Sequence, residues 1–137
     1  MSRYIMELGH MGLIIIFILS IITIFALKNA YMLYIKKPKE NLSKLGRSIN
    51  TMLFWGAIIV ILGFLGTFQG FQNVVEYMSQ AGSSIDLPVF FEGVFLLLKL
   101  VIFSLTSFTI ISIIWFIFTA KHRKLLERSM KESYTAE

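Results

Sequence analysis

Among the polar side chains inside the long apolar runs of this 137-residue chain, four are the candidate functional residues. Thr67 and Gln69 belong to one run, and Lys99 and Thr106 belong to another. At membrane depth a hydroxyl, an amide or an ammonium group needs a protein partner or a water path, and a central lysine costs at least about 2.5 kcal/mol. Such residues either bond one helix to another or line a route for ions, and the sequence leaves both interpretations open.

Glycines surround Thr67 at helical spacing. Gly56, Gly63 and Gly70 are seven residues apart and share one helix face, and Gly66 and Gly70 form a small-xxx-small pair. Small residues let helices approach closely in a bilayer, so these four glycines are predicted to pack against another helix. The Thr67 hydroxyl can donate to the carbonyl four residues earlier, which is that of Gly63.

Other polar residues fall near the depth of Thr67. Counting from the outer ends of the apolar runs puts Lys99 at a similar level, and Ser20 and Thr23 in the first run also lie there. The sequence thus predicts a polar layer near the midplane. Lys99 and Thr106 share a face of their helix with Glu92, since the three are seven residues apart.

Several kinds of chemistry find no support in the residues. The chain has no cysteine, which excludes disulfides, zinc–thiolate sites and thiol catalysis. His10 and His122 have no neighbours at metal-ligand spacing and are interpreted as interfacial residues. No nucleophile–base pair, phosphate-binding loop or paired carboxylate is apparent, so we expect no enzyme activity, no cofactor and no metal.

The composition indicates an all-α integral membrane protein. The chain is 56% hydrophobic, and its apolar residues fall in three blocks that are each long enough to span a bilayer as a helix. We predict one membrane domain over 1–137, with helices at about 9–30, 52–77 and 89–119. A basic loop at 31–48 and a tail at 120–137 complete it. The first block ends without a small-residue cleavage site and is interpreted as a retained helix.

The basic residues predict the orientation. Excess lysine and arginine stay in the cytoplasm, so the N-terminus and the loop between the last two helices are expected outside and the C-terminus inside. The net charge of +5 therefore reports topology in a lipid bilayer, and we expect no nucleic acid partner. All of the 13 lysines and arginines except Arg3 and Lys99 lie in the first connection or after the third helix, namely Lys28, Lys36, Lys37, Lys39, Lys44, Arg47, Lys121, Arg123, Lys124, Arg128 and Lys131.

The segment Leu62–Phe71, Leu-Gly-Phe-Leu-Gly-Thr-Phe-Gln-Gly-Phe, resembles the second-helix motif of the MotA/TolQ/ExbB proton-channel family. Members carry a Leu-Gly-Leu-Leu-Gly-Thr-x-x-Gly pattern, and a weaker likeness covers about 54–126. The resemblance implies a homopentamer in a bacterial inner membrane, around single-helix partners similar to ExbD, TolR or MotB. It implies that a partner aspartate carries protons past Thr67, and that Gly66 and Gly70 permit close packing.

Two features depart from that family. The family's third-helix threonine would fall near Leu100 or Val101, which are apolar, and Lys99 beside them would place positive charge in the proton route. The first connection is also short, without the large cytoplasmic insertion of TolQ and ExbB. Three interpretations follow: a stator-like, proton-driven subunit, a sealed non-conducting ring of the same family, or a small ion or solute transporter that uses Lys99.

Overall fold

The computed structural model describes residues 9–36, 42–82 and 86–136, and this part of the chain is almost entirely helical. Helix α1 is Gly9–Tyr31 and continues into a π-helical turn at Met32–Lys36. Helix α2 is Leu42–Ala81, and helix α3 is Leu87–Thr135. The expected all-α fold is confirmed, and three helices are long and apolar enough to cross a membrane. The orientation of the termini stays a prediction.

The helices extend beyond the apolar blocks. Regular helix already begins at Leu42, inside the predicted basic loop, and α3 continues through the predicted tail to Thr135. Hydropathy detects only the part of a helix that crosses the bilayer. The flanking segments are rich in lysine, leucine, arginine and glutamate, and these residues favour helix in water too, so the helices are longer than the apolar blocks. At 1.5 Å per residue, α2 and α3 are about 60 and 73 Å long, against about 30 Å of hydrocarbon.

The three helices form a small bundle in which α2 and α3 share the most extensive contact. Helix α1 packs mainly against α2 and touches α3 less. Isoleucines dominate the buried face of α1. The buried apolar side chains are Ile15, Ile18, Ile22, Leu33, Leu45, Ile49, Met52, Ile59, Leu100, Ile111 and Phe118.

The connection between α2 and α3 reverses the chain. Gly82 has a φ of 65°, in the left-handed region that favours glycine after a helix. Asp86 occupies the N-cap position of α3, although its side chain makes no capping hydrogen bond, and Pro88 lies in the first turn. Because Phe90 donates its N–H to the Asp86 carbonyl at 3.2 Å, α3 begins with a regular turn that sets its register against α2.

Candidate functional site

A glycine seam joins α2 to α3. We use the term seam for Gly56, Gly63 and Gly70 on α2 together with Ile111, Ser104 and Leu97 on α3, which meet in three layers. From one layer to the next, the residue number rises by seven on α2 and falls by seven on α3, as expected for two antiparallel helices. The three layers therefore fix the register of the two helices over about 21 Å.

The middle layer is the tightest. A Cβ atom placed on Gly63 would overlap the Ser104 hydroxyl and would lie 2.5 Å from the Ser104 Cβ. The same atom on Gly56 would lie 3.1 Å from Cγ2 of Ile111, whereas on Gly70 it would meet the flexible end of Leu97. The backbone of α2 thus approaches α3 most closely at Gly63, where no side chain larger than hydrogen fits without displacement.

Thr67 lies one turn from Gly63 and reaches both helices. Its hydroxyl donates to the Gly63 carbonyl at 2.8 Å, and the Leu97 carbonyl of α3 is 3.4 Å from the same oxygen. Since a hydroxyl has one proton, the shorter bond within α2 holds it, and the α3 carbonyl is a second acceptor. Thr67 therefore presents a hydroxyl at the contact between the helices while remaining bonded to the backbone.

Ser104 is the α3 hydroxyl that opposes the middle of the seam. It is fully buried and donates to the Val101 carbonyl at 2.9 Å. The sequence predicted apolar residues at the α3 position opposite Thr67, and the structure buries Leu100 there, but Ser104 follows one turn later. Ser104 is seven residues from Leu97 and from Ile111, but Lys99 and Thr106 have the same spacing, so the sequence alone does not identify it.

Lys99 and Thr106 lie on another face of α3. Lys99 follows Leu97 by two residues, which is about 200° of rotation, so it points away from the seam. It is half-buried, and its Nζ lies 5.4 Å from the centroid of the Phe95 ring. Thr106, seven residues on, is exposed on the bundle surface. The seam thus places Thr67 beside the α3 backbone, whereas Lys99 and Thr106 lie outside the seam.

The polar residues predicted near the midplane lie on different helices and faces of the bundle. The hydroxyls of Ser20 and Thr23 donate to carbonyls of their own helix, at 3.0 and 2.8 Å. Gly66 is buried. Gln69 is exposed on α2, as are the polar residues that follow it toward the connection, Gln72, Asn73 and Glu76. Their helical spacing makes these four residues an exposed polar stripe on α2.

His122, in the C-terminal part of α3, contacts the N-terminal part of α2. His122 is half-buried, with its Cε1 3.0 Å from the Cβ position of Gly46 and its Nε2 2.6 Å from the Leu42 carbonyl. Because a carbonyl only accepts, Nε2 carries the hydrogen in this contact. The interpretation of His122 as an interfacial residue did not include this contact between helices. Two turns earlier, Trp115 Nε1 donates to Asn50 Oδ1 at 3.3 Å.

Helix α1 is tied to α2 by a buried polar pair. The Ser48 hydroxyl donates to Asn29 Oδ1 at 2.8 Å, and Asn29 is 1% exposed. Among the described residues, the amide nitrogen of Asn29 is buried without a hydrogen-bond partner. Within the described ranges, no group of three histidine, aspartate or glutamate side chains lies close enough to hold a metal ion.

Comparisons with protein-family models, with curated proteins and with solved structures find no match to this chain. The likeness to the MotA/TolQ/ExbB family therefore depends on the α2 motif itself. The seam and the polar groups around it are therefore the candidate functional site.

Proposed function

We propose that this chain is a stator-like subunit of a membrane complex driven by the proton-motive force. In this proposal several copies, five by analogy with the resembled family, form a ring around the transmembrane helix of a single-span partner. The observation that supports it best is Thr67, whose hydroxyl lies on a glycine-lined helix contact at membrane depth with the α3 backbone as a second acceptor.

Exposed polar groups support an assembly rather than a monomer. Gln69 and Thr106 are exposed on the three-helix bundle although both lie within apolar, membrane-length segments. Hydrocarbon offers an amide no hydrogen-bond partner, so such groups favour burial against protein or water. Neighbouring copies and an inserted partner helix would supply that environment.

A sealed, non-conducting ring is the second candidate, and specific contacts favour it. The Thr67 proton is held by the Gly63 carbonyl, and Leu100, where the resembled family has a hydroxyl, is 5% exposed and apolar. Ser104 argues in the other direction, because it supplies a buried hydroxyl one turn away on the same side of α3. A measurement of proton flux distinguishes the conducting stator subunit from the sealed ring.

The ring is tested by the mass of the complex extracted from its native membrane in mild detergent. We expect several copies of this chain together with a smaller subunit that has one transmembrane helix. A chain that emerges only as a stable monomer or dimer would overturn the ring. A ring without a second type of subunit would overturn the stator proposal and leave the scaffold.

Proton movement is tested by flux into vesicles that hold the intact complex. Thr67→Val keeps the shape of the side chain and removes its hydroxyl, and we expect it to lower the flux about tenfold, which corresponds to about 1.4 kcal/mol in the barrier. Thr67→Ser should restore the flux. Thr23→Val is the matched control, since Thr23 also donates to its own helix but lies exposed on α1.

A variant of Lys99 is tested in the same proton flux assay. Lys99 points away from the seam, so its positive charge opposes conduction only along its own face of α3. Lys99→Met should raise the flux of a complex that conducts along that face and leave unchanged the flux of one that conducts past Thr67. Background flux in the wild type and in all variants would contradict conduction and favour the sealed ring.

A further inference from the structure

We infer that the groove between the basic ends of α1 and α2 binds the headgroup of an anionic phospholipid. The basic groove is defined by Lys28 on α1 and by Lys44 and Arg47 on α2, all of which are exposed. This inference does not depend on the proposed function, because it uses the α1–α2 contact rather than the seam.

The Asn29–Ser48 hydrogen bond fixes where these cations lie. Lys28 immediately precedes Asn29, and Arg47 immediately precedes Ser48. Successive spans of a bundle run antiparallel, and one step back on each of two facing antiparallel helices turns both side chains by about 100° toward the same side of the pair. Lys44, one turn before Ser48, lies on that side as well. The three cations therefore converge on one side of the α1–α2 contact.

The charge of the groove is not balanced within these helices. Positions 9–36 and 42–75 contain no aspartate or glutamate. The connection at 37–41, outside the described residues, contributes two lysines and one glutamate to the sequence and so adds positive charge. Like charges held close together repel one another. A lipid headgroup whose phosphate gives it a net negative charge would reduce that repulsion.

Aromatic side chains continue the groove toward the bilayer centre. Phe25 lies one turn deeper than Asn29 on α1, and Trp55 lies two turns deeper than Ser48 on α2. They are 38% and 39% exposed, and Trp55 packs edge-on against Phe54, with ring centroids 6.3 Å apart. Thr51, between the cations and Trp55, adds a hydroxyl.

This order of groups matches the profile of a phospholipid. Cations at the end of the spans suit the phosphate, and Phe25 and Trp55, about 6 and 10.5 Å deeper along their helices, offer apolar surface to the upper acyl chains. A free phosphate ion would use the cations alone and leave the aromatic part of the groove uncovered. The groove therefore fits a lipid with an anionic headgroup, such as phosphatidylglycerol, better than a soluble anion.

The test compares phosphatidylglycerol with phosphatidylcholine of identical acyl chains, supplied in equal amounts to the purified full-length protein. Native mass spectrometry then counts the lipids retained. We expect the wild type to retain phosphatidylglycerol about a hundredfold over phosphatidylcholine, since each of the three cations near the headgroups contributes on the order of a fivefold preference. Lys28→Gln with Arg47→Gln leaves Lys44 alone and should lower the preference to about fivefold.

A matched pair on α3 controls for net charge. Arg128→Gln with Lys131→Gln removes the same two charge types from exposed positions about 13 to 18 Å beyond Thr119 along the helix, and should leave the preference intact. Equal retention of the two lipids by the wild type would overturn the inference. So would an equal loss of preference in the α3 control, or displacement of phosphatidylglycerol by excess inorganic phosphate.

Discussion

The α2–α3 seam and the α1–α2 contact hold one bundle together by different means. At the seam, glycine lets two backbones approach, and Ser104 fills the space above Gly63. Against α2, helix α1 presents branched isoleucines and one buried amide that is bonded to Ser48. In a bilayer, apolar side chains are not driven together by escape from water, so packing and hydrogen bonds decide which helices associate.

The difference shows which kind of change each contact tolerates. A seam specified by shape is sensitive to the addition of a single carbon atom. A contact specified by a polar pair tolerates apolar exchange but is sensitive to the loss of one hydrogen-bond partner.

Gly63→Ala should have the largest effect. Its methyl group overlaps Ser104, so the helices have to separate, and we expect a loss of about 1–3 kcal/mol in the free energy of unfolding in micelles. Adding Ser104→Gly removes the overlapping side chain, so the double variant should lose less than the sum of the two single changes. Wild-type stability of Gly63→Ala would show that α2 and α3 are further apart.

Ser48→Ala should have an intermediate effect. It leaves both ends of the buried Asn29 amide without a partner, and the expected cost is about 1 kcal/mol. The control is Asn29→Leu with Ser48→Ala, which replaces the polar pair by apolar groups and should recover the lost stability in the same unfolding measurement. If the control is no more stable than Ser48→Ala alone, the hydrogen bond does not specify this contact.

Glycines outside the tight layer should give the smallest effects. On Gly93 a Cβ would lie 3.5 Å from Val74 Cγ2, an ordinary contact, so Gly93→Ala should change stability by less than about 1 kcal/mol, and in the favourable direction. Gly56→Ala should fall between Gly93→Ala and Gly63→Ala. An inverted order in the unfolding free energies would contradict the geometry of the seam.

The sequence predicted the spans better than their ends. Long apolar blocks require helices in a bilayer, because no other backbone arrangement short of a closed barrel satisfies its own hydrogen bonds there. Hydropathy does not report that the helices continue beyond the apolar blocks, as α2 does from Leu42 and α3 does to Thr135. Those extensions depend on helix propensity and on contacts such as that of His122 with Gly46.

The partners across the seam were harder to predict. The face formed by Gly56, Gly63 and Gly70 follows from spacing alone. On α3, however, two stripes have the same seven-residue period, one through Lys99 and Thr106 and one through Ser104. Either stripe could face protein in a bilayer, and only the packed register shows that Ser104 is the one that meets Gly63.

Helix α3 has a mechanical consequence through its length. It runs for 49 residues, with Pro88 in its first turn and no glycine after Gly93, so neither proline nor glycine kinks it along nearly all of its length. A stiff rod of about 73 Å acts as a lever: a tilt of about 10° displaces one end relative to the other by about 13 Å. A small movement at the α2–α3 connection would thus become a large one at Thr135, with no hinge between them to absorb it.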